Sequence, residues 1–355
     1  ARAVLPAERP DRRALLLTPA NVTRLTDELA RMRGAAMKMG QLLSMEAGDV
    51  LPPELADVLA RLRADAHFMP PKQLKTVLTD AYGAGFLKRF RKFDTRPVAA
   101  ASIGQVHRAV ATDGRELALK IQYPGVRGAI DADVSNLATL FRMSGLAPRD
   151  VPLQPFMDEA RRQLHEEADY AREAQELDRF GTLVGNDPTL VLPRVQPDYC
   201  TADILAMDFV DSRPIEIVET ADQDTRDRVA TRLFRLFLQE LFDWHHVQTD
   251  PNFANYRYQP DTGRIVLLDF GAARAFDPAF VARFRALLAA SLDGDTGGVM
   301  AGLVALGLLP EDAPEGQRRV IGEMVALGLP LMQEPVVDFG DTTLLAAMRD
   351  KGMQL

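Results

Sequence analysis

Residues 248–255 read Gln-Thr-Asp-Pro-Asn-Phe-Ala-Asn, and residues 267–271 read Leu-Leu-Asp-Phe-Gly. Asp250 and Asn255 stand five apart. They follow a helix expected from Thr225 onward, with Val229, Leu233, Phe237, Leu241 and Trp244 as its buried stripe. Tyr256 to Asp269 then reads as a hairpin that turns at Gln259-Pro260-Asp261-Thr262-Gly263, with the apolar run Arg264 to Leu268 as its second strand. A hairpin returns its end to its beginning, so Asp269 comes back beside Asp250 and Asn255. A carboxylate directly after an apolar strand, followed by a glycine, suits a magnesium ligand. Asn255 adds an amide oxygen, and Asp250 is placed as a base or positioning carboxylate. Spacing, order and context together are those of phosphoryl-transfer chemistry.

That chemistry also needs a fixed lysine and a loop over the phosphates. Upstream, Pro97–Val110 and Arg115–Gln122 are strand-like and flank Thr112-Asp113-Gly114, a hairpin turn. Lys120, in Leu117-Ala118-Leu119-Lys120-Ile121, points away from the apolar face of the second strand. A long helix is expected over about Pro155 to Leu183, then strands over Thr189–Val195 and Asp203–Val210. The first 90 or so residues read as helices over Asn21–Ala47, Pro53–Asp65 and Pro71–Tyr82, the last ended by Gly83. The expected fold is therefore α+β and helix-rich: a bilobal, protein-kinase-like arrangement with an N-terminal helical extension (1–92), an N-lobe (93–210) and a helical C-lobe (211–355).

Composition narrows the function classes. The chain has 355 residues and a formal net charge of -8. Nucleic acid and anionic membrane surfaces both call for a positive field, so neither is expected as a general partner. The basic clusters Arg12-Arg13 and Lys88–Lys92 read as solvated faces. With Cys200 as the single cysteine, no internal disulfide can form, and a reducing compartment is expected. His245 and His246 read as packing residues rather than metal ligands. The longest apolar run, Val299 to Leu309, holds two glycines, stops at Pro310, and reads as a buried helix. A start at Ala1 without methionine or an apolar leader reads as a trimmed fragment.

Four stretches together resemble the UbiB/AarF family of atypical kinases: Lys38-Met39-Gly40-Gln41, Ala99-Ala100-Ala101-Ser102-Ile103-Gly104-Gln105-Val106-His107, Glu167-Ala168-Asp169 with Glu173 beyond, and the Asp250/Asn255/Asp269 set. The resemblance runs from about Arg33 to Ala273. It implies that Lys120 contacts the nucleotide phosphates and pairs with Glu173, and that Asn255 and Asp269 hold Mg2+. Asp250 takes the place of a kinase base. Ala99, Ala100, Ala101, Ser102 and Ile103 form the nucleotide loop, and Met207, Asp208 and Val210 a hinge whose backbone holds adenine. One departure is Asp211-Ser212, where a glycine is expected after the hinge acid.

Helical phase sorts the carboxylates. Asp169 and Glu173, four apart, share a face, whereas Glu167 lies well round the helix. One straight helix cannot aim both ends at Lys120. Glu173 is assigned to Lys120, and Glu167 or Asp169 to Lys38. Lys38 and Gln41, three apart, lie on one face of an extension that the resemblance folds across the active site, disfavouring a protein substrate. Alanines in place of glycines should also stiffen the phosphate loop. The expected function is an atypical kinase or ATPase using Mg-ATP or Mg-ADP. By resemblance it supports ubiquinone biosynthesis, through ATP hydrolysis or phosphorylation of a small or lipid-like molecule such as a quinone precursor. The expected location is cytoplasmic, with peripheral contact at a bacterial inner membrane. The alternative is a nucleotide-regulated, pseudokinase-like module that binds lipids or partner enzymes. A small-molecule kinase of the aminoglycoside or choline type shares the Asp…Asn loop but lacks the Ala-rich loop and the Lys38 motif. Oligomeric state is left open.

Overall fold

The computed structural model describes Lys38 and residues 68–144, 153–250, 252–334, 336–338 and 341–352. The helices expected over Asn21–Ala47 and Pro53–Asp65, and with them Gln41, lie outside the described residues apart from Lys38, which is helical and buried. The chain forms two compact units. One holds the described residues up to Ala221 together with Asp250–Ala272, and the other holds Asp222–Thr249 and the residues from Ala273 onward.

In the first unit, helix α1 (Pro71–Tyr82) precedes strands β1 (Phe90–Phe93), β2 (Ala99–Ala100), β3 (Gly104–Ala111) and β4 (Glu116–Gln122). Helices α2 (Val126–Ser144), α3 (Leu153–Glu167) and α4 (Tyr170–Val184) follow. Strands β5 (Leu190–Val191), β6 (Ile204–Asp208), β7 (Arg213–Pro214), β8 (Tyr256–Gln259) and β9 (Arg264–Leu267) complete it. β1-β3-β4-β6 make an antiparallel sheet with β2 attached to β3, and β5-β9-β8-β7 make a second, smaller one. Both hairpins turn where the sequence signals it. Gly114 and Gly263 have φ of 97° and 68°, a region glycine enters without a Cβ penalty.

Strand alternation puts Leu117, Leu119 and Ile121 of β4 on one face. There they join Leu74 and Leu78 of α1, Phe86, Phe90, Ile204 and Ala206 in the core of the first sheet. Lys120 takes the other face. Its partner in register is Val106 on β3.

Two expectations about helices need correction. The helix α2 was not expected, although Ile130, Val134, Leu137 and Ala138 recur at helical spacing and are buried. The helix expected over Pro155–Leu183 is two helices, broken at Ala168-Asp169. The Asp169 carboxylate accepts the Arg172 N–H at 3.1 Å and so starts α4 as an N-cap. The Ala168 carbonyl, turned out of the α3 ladder, accepts from Gln122 Nε2 and Arg127 Nη2, each at 2.7 Å.

In the second unit, the helix Gln223–Phe242 is capped by Asp222, which accepts the Thr225 N–H at 2.8 Å. Its buried residues are Val229, Leu236, Glu240 and Leu241. The expected stripe is therefore rotated. Phe237 is 43% exposed, and the buried face instead takes in Glu240, whose carboxylate receives the Gln248 N–H at 3.0 Å. His246–Gln248 pairs antiparallel with Ala273–Ala275. Helices Pro278–Leu292, Thr296–Ala305, Glu315–Gln333 and Thr343–Gly352 follow, with Leu287, Val299 and Leu329 in their core. The apolar run Val299–Leu309 is not one buried helix: the helix ends at Ala305, Gly307 turns at φ 73°, and Leu308 is exposed. No helix among the described residues is long and apolar enough to cross a membrane.

Burial pushes the Glu240 carboxyl up to about 7, with the Gln248 N–H opposing the shift. A carboxyl raised in the folded state binds its proton there while the unfolded chain, near 4.5, has released it. Between those values stability falls as pH rises, by roughly 3 kcal/mol in total for a shift of this size. Glu240→Gln is expected to flatten that part of the stability profile, measured by urea unfolding between pH 4.5 and 7.5.

Candidate active site

All the described site residues belong to the first unit. At its centre, Lys120 Nζ lies 2.6 Å from Glu173 Oε1 and 3.1 Å from Asp269 Oδ2. Three elements meet in that triangle: β4 supplies the lysine, the first turn of α4 supplies Glu173, and the segment after β9 supplies Asp269. The break before α4 lets this happen, since it starts a new helix at the phase Glu173 needs. Tyr170, one turn earlier on α4, lies under the ammonium with its ring centroid 5.4 Å from Nζ.

α4 also grips Asp269-Phe270-Gly271. Phe270 is buried against Phe180, ring centroids 4.4 Å apart, and Arg172 Nη1 donates to the Gly271 carbonyl at 2.5 Å. Asp269 Oδ1 accepts the Gly271 N–H at 2.9 Å. The hairpin brings the other loop to the same place: the Leu268 N–H donates to the Asn255 carbonyl at 3.1 Å, and Asn255 Nδ2 donates to Asp250 Oδ2 at 3.2 Å. That leaves the Asn255 amide oxygen available to a metal.

Lys38 Nζ pairs with Glu167 Oε1 at 2.5 Å. Of the two carboxylates open to it, Glu167 at the end of α3 is the partner, while Asp169 serves as the cap of α4. The second oxygen of Glu167 accepts the Ser102 hydroxyl.

The electrostatics follow from burial. Two ammoniums, Lys38 and Lys120, face four carboxylates, Glu167, Glu173, Asp250 and Asp269. Burial disfavours the charged form of Lys120, yet Asp269 and Glu173 hold it well above its ordinary value. For Lys38 burial is likewise outweighed, chiefly by Glu167, with Asp250 and Asp269 adding. Burial pushes Asp250 up, Lys38 opposing. Asp269 resists burial because Lys120 and the Gly271 N–H hold it below the usual carboxylate range. Burial drives the Glu173 carboxyl up to about 7, Lys120 opposing and Asp269 adding.

The Ala-rich loop is a tight return. Ala99 and Ala100 pair with Val106 and Gln105, and the Ala101 N–H donates to the Gly104 carbonyl at 2.9 Å. None of residues 99–104 has positive φ, so alanine is at ease there. The Ile103 side chain is buried and its carbonyl receives the Tyr123 N–H. Gly104 is needed for space rather than backbone freedom: a Cβ there would lie 2.4 Å from the Ile121 carbonyl oxygen and 3.1 Å from the Tyr170 hydroxyl. Gly104→Ala is expected to cost about 1–3 kcal/mol in thermal unfolding, against little change for Gly128→Ala, whose Cβ meets nothing within 4 Å.

At the expected hinge, Met207 is a buried residue of β6 and Asp208 ends the strand. The Asp208 carboxylate accepts from Gln196 Nε2 at 2.6 Å and from the Arg194 N–H, and its own N–H donates to the Arg194 carbonyl at 3.0 Å. The Phe209 N–H is committed to the Glu116 carbonyl. Asp211-Ser212 needs no glycine, because β8 anchors it: Arg257 donates to the Ser212 hydroxyl and carbonyl, and Gln259 to the Asp211 carbonyl. Sequence reading missed Gln122, Arg127, Tyr170 and Arg172. Gln122 follows two residues after Lys120 on the same face of β4, and that spacing is the signal that marked it.

A divalent cation fits this donor set. Four carboxyl groups face two ammoniums, and Glu173 Oε2 is buried with no hydrogen-bond partner. Among the described residues no three carboxylate, imidazole or thiol groups gather into a metal cluster. Magnesium bound by one carboxylate, one amide and phosphate oxygens needs no such cluster.

A family model described as the ABC1 atypical kinase-like domain matches residues 61–302. The chain is 37% identical over 343 residues to the mitochondrial atypical kinase COQ8 of Saccharomyces cerevisiae, covering 96% of this chain and 68% of that one. It is 39% identical over 279 residues to the mitochondrial atypical kinase COQ8B of Rattus norvegicus, covering 79% and 53%. It thus spans about half to two thirds of the length of these relatives. In fold it is similar to the structure of Rv3197 from Mycobacterium tuberculosis solved with erythromycin, with a TM-score of 0.60 and 24% identity over 98% of this chain and 95% of that one. With its α+β, kinase-like architecture and the motifs read from its sequence, the chain belongs to the ABC1 atypical kinase family, which takes in the COQ8 and UbiB/AarF proteins.

Proposed function

We propose that this chain binds Mg-ATP or Mg-ADP and either hydrolyses ATP or passes its terminal phosphoryl group to a small or lipid-like acceptor, in support of isoprenoid quinone biosynthesis. The observation that carries this reading is Lys120 held between Glu173 and Asp269. In the kinase-like division, residues 1–92 form the extension, 93–210 the N-lobe and 211–355 the C-lobe. Lys120 meets the phosphates, and the loop Ala99–Ser102 lies over them. The hinge backbone from Met207 to Val210 takes the adenine. Asp269 and Asn255 hold the Mg2+, which neutralises charge on the phosphate oxygens. Asp250 orients the attacking hydroxyl or water and accepts its proton, a role that its burial-raised carboxyl favours. Glu173 fixes Lys120, and Lys38 sits against Glu167 on the side where an acceptor would approach. Peripheral contact with a bacterial inner membrane holding that acceptor belongs to this reading.

An ATP turnover assay with and without liposomes and quinone-like phenols tests it, with Mg-nucleotide thermal stabilisation measured alongside. Turnover stimulated by lipid or phenol is expected. Stabilisation without turnover under every condition would instead favour a nucleotide-regulated binding module, and no stabilisation at all would refute the assignment.

A further inference from the structure

Ser102 belongs to the loop expected to cover the phosphates, and its hydroxyl donates to Glu167 Oε2. Glu167 Oε1 holds the Lys38 ammonium at 2.5 Å. One carboxylate therefore joins three places distant in sequence: the Ala-rich loop, the end of α3, and Lys38. Glu167 is itself held in place, because the carbonyl of the next residue, Ala168, takes both Gln122 and Arg127.

The rest of the loop has little freedom. Its return is closed by the Ala101–Gly104 hydrogen bond, and Gly104 is packed against the Ile121 carbonyl. What remains is the height of its tip, residues 101 and 102, and that tip is tied by a charge-assisted hydrogen bond, stronger than a neutral one. We infer that Ser102 is a positioning residue: fastened to Glu167, it sets the height of the Ala-rich loop, so that the loop tip and the Lys38 side chain are tied through one carboxylate. Freeing Lys38 lets Glu167 shift and releases the loop tip, so a change on the acceptor side of the site is felt as a change in nucleotide grip. The inference rests on reading the site as a nucleotide site.

The test is a thermodynamic cycle on Mg-ADP affinity, using Ser102→Ala in the wild type and in Glu167→Met, which keeps the length of the side chain and removes its acceptors. Ser102→Ala is expected to change Kd roughly fivefold with Glu167 present and less than about twofold without it, while Ser102→Thr restores the wild-type value. Equal changes in both backgrounds, or none in either, would overturn the inference, since the hydroxyl then acts on the nucleotide directly or not at all. Should Glu167→Met not fold, Lys38→Met supplies the second background. If the wild type itself fails to bind Mg-nucleotide, the functional reading falls, and the tie is judged separately by amide exchange at Ala101 and Ser102. Exchange about tenfold faster in Ser102→Ala and Lys38→Met upholds it; unchanged exchange overturns it.

Discussion

Asp269→Asn is expected to weaken Mg2+-dependent nucleotide binding by on the order of 100-fold, with the fold retained. Removing one partner from a buried set of charges costs about 3–5 kcal/mol when the remaining charge has no other partner. Here Lys120 keeps Glu173 at 2.6 Å, so protein stability loses less than that. The metal has no such substitute. The only other ligand assigned to it is the neutral amide of Asn255, and the nearest carboxylate, Glu173, is already engaged by Lys120. Calorimetric titration with Mg-ADP, and with ADP in EDTA, measures the difference. The variant should bind both forms alike, whereas the wild type prefers the magnesium form. Unchanged thermal stabilisation by Mg-nucleotide in the variant would sink the assignment of Asp269.

Lys38→Met has the second large effect, and in two readouts. Lys38 is 4% exposed and paired with Glu167, and its charge also opposes the upward push on Asp250. Its loss leaves Glu167 with only the Ser102 hydroxyl and removes one of two cations facing four carboxylates. Thermal stability is expected to fall by about 3 kcal/mol. The Asp250 carboxyl should move further up, so the pH at which turnover reaches half its maximum rises; the sign follows because a base must lose its proton before it can accept another. Nucleotide turnover should change by roughly tenfold or more although Lys38 lies more than 200 residues before Asp250. A pH–rate profile and a nucleotide preference both at wild-type values would show that Lys38 does not bear on the site.

Much of this arrangement was legible beforehand because it depends on local rules. The two hairpins were announced by Asp113-Gly114 and by Pro260-Asp261-Thr262-Gly263, and the alternation in Leu117–Ile121 gave Lys120 a face. Helical phase showed that Glu167 and Glu173 could not serve the same lysine. What stayed hidden depends on tertiary partners. The break at Ala168-Asp169 lies within an otherwise helical pattern, and the Ala168 carbonyl is satisfied by Gln122 and Arg127 from elsewhere in the chain. The burial of Glu240 similarly depends on one backbone N–H of a following strand, and apolar spacing alone gives no sign of it. The Ser102–Glu167 contact joins residues 65 apart, with no periodic trace in either segment.

The break also bears on how such a site could arise. On an unbroken helix at about 100° per residue, side chains six apart point roughly 120° away from each other, so a single rod can address one cation and must turn its other acid to solvent. Cutting the rod at Asp169 gives each half its own rotational setting. A second lysine can then be recruited without disturbing the first pair, so the extension that carries Lys38 could be added to an existing nucleotide site or lost from it.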